Sequence, residues 1–254
     1  MTADLELAER AARRAGEILL TYFGRPPEGL ERKSSRNDPV SDADREAERA
    51  IVDLLAAERP EDGLLAEEGS SREGSGGRRW IVDPLDGTVN FLYGFPCWGV
   101  SVALEDAEGM AVGVVHDPGR GETFRAVRGG GADVDGTPLR VRAPRDLDRA
   151  LVGTGFGYDR ERRAAQGAVI ARLLPQVRDI RRTGAAALDL SWLAAGRLDG
   201  YFEHGLSPWD WAAGRLMVEE AGGSVVELPG DPMGLAAAST PELAAALAEI
   251  AGTP

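Results

Sequence analysis

Hydrophobic residues recur at helical spacing from the start of the chain. Leu5, Ala8, Ala12, Ala15, Leu19 and Tyr22 fall on one face, which predicts an amphipathic helix over residues 3–23. Gly24 and the two prolines after it close that helix. A second helix is predicted over 42–58, with Ala47, Ile51, Leu54 and Leu55 turned inward. Beyond it the period changes to two. GLLAEEG (63–69), the run Trp80-Ile81-Val82 ending at Asp83, and then WGVSVAL, MAVGVV, TFRAV and PLRVR read as strands, with Asp135-Gly136 as a hairpin turn. SSREGSGGRR, between the first two of these strands, reads as a polar loop whose composition allows mobility. Further on the patterns alternate: helices over 159–175, 184–196 and 208–221, strands at DGYFE (199–203) and SVVEL, and a closing helix over 240–252. This order predicts an α/β fold, an α+β layered sandwich of stacked helices and sheets. A mixed, largely antiparallel sheet would occupy an N-terminal subdomain (1–144), and a second α/β half would span 145–254, with no flexible linker between them.

Composition narrows the function classes. A chain of 254 residues, 43% hydrophobic and 28% charged, is long enough to bury a sizeable core. Its net charge of −13 comes with no basic tract, which argues against non-specific nucleic-acid binding and against anionic membranes. No run approaches a membrane span and the first twenty residues lack the apolar core of a signal peptide, so the expected location is cytoplasmic. Cys97 is the only cysteine, which leaves no internal disulfide and no thiolate zinc site. His116 and His204 are the only histidines, so a His-rich metal site is out of reach. There is no G-x-S-x-G elbow and no P-loop, and GTGFGY (153–158) lacks the dinucleotide-binding spacing. Any catalysis therefore falls to carboxylates and metals.

Acids stand where elements begin and end. SDAD (41–44) opens the second helix, Glu67 and Glu68 end a strand, Asp83 and Asp86 follow another in WIVDPLDGTVNF, and SPWD (207–210) opens a late helix. Each has an ordinary reading. Ser41 with Asp44 and Ser207 with Asp210 have capping-box spacing, Asp86-Gly87 is turn chemistry, and Glu67-Glu68 suits a solvated surface. One metal site would account for all four places together.

Asp83-Pro84-Leu85-Asp86-Gly87-Thr88 after Trp80-Ile81-Val82, with Trp209-Asp210 followed by Glu219-Glu220-Ala221-Gly222-Gly223, closely resembles the inositol monophosphatase family. The resemblance runs on through Lys33, Ser41 to Asp44, Glu67-Glu68, Phe95-Pro96, Arg181 to Ala186 and Glu203, in order along nearly the whole chain. It implies stacked helix and sheet layers, a homodimer, and Mg²⁺-dependent hydrolysis of a small phosphate monoester, with lithium inhibiting many members. It also implies that Glu67, Asp83 and the Leu85 carbonyl bind one Mg²⁺, and that Asp83, Asp86 and Asp210 bind a second. A weaker third ion would lean on Glu67 and water. Asp44 would hold the Thr88 hydroxyl so that Thr88 and Glu67 orient the attacking water. The Gly87 and Thr88 amides would meet phosphate oxygens if they open a short helix. Lys33, the lone lysine among 29 Lys and Arg, would lie near the third ion. Gly184, Ala185 and Ala186 would leave the pocket floor open for a polyol ring, and Glu203 would accept its hydroxyls. Asp189 reads as structural. Gly157 stands where relatives often have proline, and Trp211 where a smaller residue is common.

Three alternatives remain open at this level. Fructose-1,6-bisphosphatases, 3′-phosphoadenosine phosphatases and histidinol phosphatases share the metal ligands; Glu203 and the small floor favour a polyol monophosphate. A haloacid-dehalogenase phosphatase would need D-x-D-x-T, whereas this chain has D-x-x-D-G-T. A binding or scaffolding protein of the same fold would be expected to have lost ligands that are all present here.

Overall fold

The computed structural model describes residues 3–24, 31–32, 39–40, 42–142 and 146–252. Helix α1 (Ala3–Tyr22) opens the chain and buries Leu5, Ala8, Ala12, Ala15 and Leu19 along the expected face. Two short strands, β1 (Glu31–Arg32) and β2 (Pro39–Val40), pair antiparallel. Helix α2 (Asp42–Glu58) follows and packs on α1. Lys33 and Ser41 lie outside the described residues.

The first half is dominated by one eight-stranded sheet. Its members are β3 (Gly63–Ala66), β4 (Ser71–Arg72), β5 (Arg79–Asp86), β6 (Gly99–Asp106), β7 (Gly109–Asp117), β8 (Glu122–Val127), β9 (Gly131–Val134) and β10 (Thr137–Pro138). They lie in the order β10-β9-β8-β7-β6-β5-β3-β4. Only β3 and β5 pair in parallel; the other neighbours are antiparallel. Between β5 and β6 lies the short helix α3 (Thr88–Leu92). PLRVR, expected as a strand to Arg142, pairs with β9 at Pro138 and through the Leu139 N–H on the Ala132 carbonyl, and then leaves the sheet, the Val141 N–H donating to the Ala221 carbonyl at the end of α6.

The second half carries a five-stranded sheet. Strand β11 (Leu151–Thr154) leads to helix α4 (Arg160–Leu173), β12 (Asp179–Arg181), helix α5 (Ala186–Ala194) and β13 (Gly200–Glu203). Helix α6 (Pro208–Glu220), the hairpin β14 (Ser224–Leu228) and β15 (Gly234–Ala238), and helix α7 (Pro241–Ala251) complete the chain. The strand order is β12-β11-β13-β15-β14. Strands β11, β12 and β15 were not expected. Gly-Leu-Ala-Ala-Ala carries little β propensity and becomes a strand by filling the gap between β13 and β14.

The cores show how these pieces stack. Trp80, Val82, Val100, Val102 and Val114 on one face of the large sheet pack with α1 and α2. Ile81, Ala103, Val115 and Phe124 on the other face pack with Leu188, Leu190 and Leu193 of α5 and Leu216 and Met217 of α6. The same cluster takes Tyr201, Leu235 and Ala237 from the small sheet. That sheet's far face, with Val152, Phe202 and Ala236, packs with α4 and α7. The molecule is therefore five layers: helices, sheet, helices, sheet, helices. The α5–α6 layer belongs to both cores, so the two halves share one interior. Its helices bring late residues against the end of β5.

Candidate active site

Strand β5 is covered on both faces, which is why Trp80-Ile81-Val82 is continuously apolar. Alternation sends Ile81, and hence Asp83, toward the α5–α6 layer. Simple alternation would then send Asp86 the opposite way. It does not, because Asp83 pairs with Ser101 while Asp86 pairs with Gly99: Pro84 and Leu85 on β5 together answer Val100 on β6. This bulge, at Pro84 and Leu85, drops Leu85 into the α1–α2 core and turns Asp86 back to the side of Asp83. The Asp83 carboxylate accepts the Leu85 N–H at 2.9 Å and steadies the bulge.

The two aspartates open onto a cavity of about 350 Å³. Glu67, Asp83, Leu85, Asp86, Gly87, Thr88, Gly184, Ala185, Ala186, Glu203 and Asp210 all line it, so most of the sequence-predicted site is brought together. Asp44 is not among the lining residues; it is fully buried on α2. The polar 70–77 loop also stays away from the cavity, held by the Ser75 N–H on the Glu61 carbonyl and by Gly74 lying against Gly63.

Each acid is held by its own element. Glu67 continues β3, its N–H donating to the Val82 carbonyl at 3.1 Å. The next turn is pinned by Glu48 of α2, which accepts the Glu68 N–H at 2.7 Å and the Ser70 N–H at 3.2 Å. Asp86 accepts the Ala187 N–H at 2.7 Å, reaching the first turn of α5. Asp210 sits in the first turn of α6 and accepts the Ser207 N–H at 2.7 Å within a capping box. The cap and cavity readings of Asp210 thus hold together. Gly87, with φ of 91°, caps α3, and a side chain there would press on the Cys97 carbonyl. Asn90 of α3 donates to both the Cys97 carbonyl (2.7 Å) and the Thr183 carbonyl (2.8 Å), fastening this turn to the segment before α5. The Thr88 hydroxyl donates to the Leu85 carbonyl at 3.0 Å, where the expectation had paired it with Asp44.

Burial and crowding push these carboxyls toward the neutral form. Asp83 is raised well above the carboxylate range by burial and then by the charges of Glu67, Asp86 and Asp210. Asp210 is raised well above it by burial and then by Asp86 and Glu67. Asp86 rises to about 7, burial outweighing the amides of Ala187 and Ala186 that favour its charge. Glu203 is raised by burial too, partly offset by the Tyr201 hydroxyl, 2.5 Å away, and by Arg182.

The acids ring the cavity, Asp83 in hydrogen-bond contact with Glu67, and among the described residues no three His, Cys, Asp or Glu side chains stand at the spacing of a preformed metal cluster. Their chemistry still fits a hard divalent cation. Glu67, Asp83, Asp86 and Asp210 bring oxygen donors from three elements, and the last three, pushed toward protonation by burial and by neighbouring carboxylates, are groups a Mg²⁺ ion would return to charge.

Several residues of the cavity were not anticipated. Thr154, Phe156, Tyr158, Arg162, Leu206 and Trp209 line it, as does Asp189, whose carboxylate accepts the Thr183 hydroxyl at 2.7 Å. Glu48 carried a signal, an acid four residues after Asp44 on the apolar stripe of α2; Arg162 and Arg182 carried none in a chain so rich in arginine.

The inositol monophosphatase family model matches residues 2–252. Nus factor SuhB of Escherichia coli K12 is 41% identical over 228 residues, covering 89% of this chain and 85% of that protein. Among solved structures, extragenic suppressor protein suhB from Bartonella henselae superposes with a TM-score of 0.91 at 37% identity, covering 99% of each chain. An IMPase from Thermotoga maritima superposes with a TM-score of 0.88 at 32% identity, covering 98% of this chain and 97% of that one. With its layered fold and its ring of acids at the end of β5, this chain belongs to the inositol monophosphatase family.

Proposed function

We propose that this chain is a Mg²⁺-dependent phosphatase that hydrolyses inositol 1-phosphate to inositol and phosphate. The observation that carries the reading is the convergence of Glu67, Asp83, Asp86 and Asp210 on the cavity that also holds Glu203. Glu67, Asp83 and the Leu85 carbonyl would hold one ion, and Asp83, Asp86 and Asp210 a second. When bound, the ions neutralise phosphate charge, lower the pKa of a water and stabilise the departing alkoxide.

The chain's own groups do the rest. The Thr88 hydroxyl has committed its proton to the Leu85 carbonyl, so only its lone pairs face the cavity. It would accept a hydrogen bond from the attacking water and turn that water's own lone pair outward, while Glu67 accepts the second proton. Asp44 then acts behind this pair, and Lys33 keeps its place in the proposal beside the outer water. The amides of Gly87 and Thr88 would receive phosphate oxygens. Because the Ala186 and Ala187 amides already serve Asp86, recognition of the ring falls to Glu203 and to the open floor at Gly184 and Ala185. The Tyr201 hydroxyl fixes one Glu203 oxygen and leaves the other for substrate hydroxyls.

The test is phosphate release from simple monophosphates, inositol 1-phosphate beside histidinol phosphate and 2′-AMP, by wild type and Glu203→Gln. Preference for inositol 1-phosphate, with KM raised about tenfold in the variant (~1.4 kcal/mol), supports the reading. Preference for another ester overturns the substrate, and no Mg²⁺-dependent release overturns the phosphatase. The homodimer is part of this proposal, and light scattering after gel filtration reads it directly. The name Nus factor SuhB of the relatives favours a second reading, a binding role beside catalysis, which an inactive Asp86→Asn chain would retain.

A further inference from the structure

Helix α5 is apolar along most of its length, yet it carries Asp189 between Leu188 and Leu190. Asp189 is 1% exposed and lines the cavity that gathers the acids. One of its oxygens, Oδ2, accepts the Thr183 hydroxyl at 2.7 Å. The other, Oδ1, is buried and has no hydrogen-bond partner among the described residues. A structural role accounts for the first oxygen and leaves the second unexplained, since buried polar atoms are normally paired.

The end of β11 is shaped around this acid and Glu203. Positions 153 and 155, at and just past that end, fall on one side of the chain, and both are glycine. A Cβ at Gly153 would lie 3.0 Å from Leu198 and 3.5 Å from the Asp189 carboxyl carbon, and one at Gly155 would collide with the Glu203 carboxylate. The GTGFGY run, which lacks dinucleotide-binding spacing, thus leaves room for two carboxyl groups in one wall. The two are not equivalent. Burial drives the Asp189 carboxyl well above the carboxylate range against the Thr183 hydroxyl; the charges of Glu203 and Asp86 push it further, and Arg182 offsets part. As a neutral acid, Asp189 still accepts from Thr183 on Oδ2 and has a proton to give on Oδ1.

We infer that Asp189 is a specificity-determining residue of this cavity, its Oδ1 donating to a ring hydroxyl of a polyol phosphate while Glu203 accepts from another. The inference rests on the phosphatase reading and deepens its account of ring recognition. A hydroxyl both gives and takes hydrogen bonds, so a wall with one donor and one acceptor suits neighbouring hydroxyls. An ester whose alcohol lacks them leaves both buried groups unpaired, and that penalty discriminates.

The test compares kcat/KM for inositol 1-phosphate and for cyclohexyl phosphate, the same ring without hydroxyls, in wild type, Asp189→Leu and Asp189→Asn. Leucine keeps the bulk of the side chain and loses both hydrogen bonds; asparagine keeps an acceptor for Thr183 and a donor for the ring. The expected inositol-to-cyclohexyl ratio falls about tenfold (about 1.4 kcal/mol) in the Leu variant, because KM for the inositol ester rises. Asparagine should restore the ratio to within about threefold of wild type. A merely structural residue would move both esters together, so a wild-type ratio in the Leu variant overturns the inference and leaves the phosphatase intact. An Asn variant as impaired as the Leu variant overturns it too, since the donor would then be irrelevant. If the Leu variant does not fold, infrared difference spectra of wild type against the Asn variant decide. A protonated carboxyl C=O band that shifts on adding inositol supports the donor; no such band, or one that inositol leaves in place, overturns it. Turnover of neither ester by wild type overturns the phosphatase reading and the ring-binding role with it.

Discussion

Asp86→Asn is expected to stabilise the metal-free protein while abolishing its activity. Asp86 is 8% exposed, and its carboxyl rises from 3.8 to about 7 on folding. An acid raised in this way holds a proton in the folded state that the unfolded state has released. Its contribution to stability is therefore greatest below 3.8 and is lost as pH climbs toward 7. Asparagine has the shape of the neutral acid and keeps a carbonyl for the Ala187 N–H, so it escapes this loss. The gain over wild type should grow from about 2 kcal/mol at pH 5 to about 4 kcal/mol at pH 8, both upper values because Asp83 and Asp210 share the strain. In a chain of this size the larger figure raises Tm on the order of 10 °C. The assay is urea or thermal unfolding in EDTA at both pH values. Phosphate release with Mg²⁺ should fall at least about a hundredfold in the same variant. An Asn variant less stable than wild type at pH 8 in EDTA would refute the claim that this carboxylate is buried at a cost.

Three further outcomes follow from the same geometry. Adding Mg²⁺ should raise wild-type Tm more at pH 8 than at pH 5, because the raised acids must release protons to bind it; equal shifts would mean that they are not the ligands. Asn90→Ala removes both bonds that fasten α3 to the Thr183 segment, and should cost about 1–3 kcal/mol of stability and lower kcat, read by unfolding and steady-state kinetics. Gly155→Ala places a methyl group against the Glu203 carboxylate, and should lower kcat/KM for inositol 1-phosphate while the far-UV spectrum is unchanged.

Much of this was legible because periodicity and element ends are local. The opening helices, the β5 run and the acids at the element ends announce themselves within a dozen residues. What stayed hidden depends on distance. No local signal shows that Asp86 meets an amide 101 residues later, or that one extra residue at Pro84-Leu85 turns it to the side of Asp83. Gly-Leu-Ala-Ala-Ala becomes a strand only because its neighbours are strands. Thr88 chose the nearby Leu85 carbonyl over the expected Asp44, since a hydroxyl takes the acceptor its own turn presents. Arg162 and Arg182 are set apart from the other arginines by the cavity they line, which no local pattern reveals.

A ring of acids at the end of β5 that works as a Mg²⁺-dependent phosphatase site, as proposed, must turn over substrate only with the ion present. The most direct measurement is phosphate release from inositol 1-phosphate by the wild-type chain, with Mg²⁺ and then with EDTA. Turnover that appears with Mg²⁺ and vanishes with EDTA is the predicted result. Turnover that is equal in both, or absent in both, would contradict it.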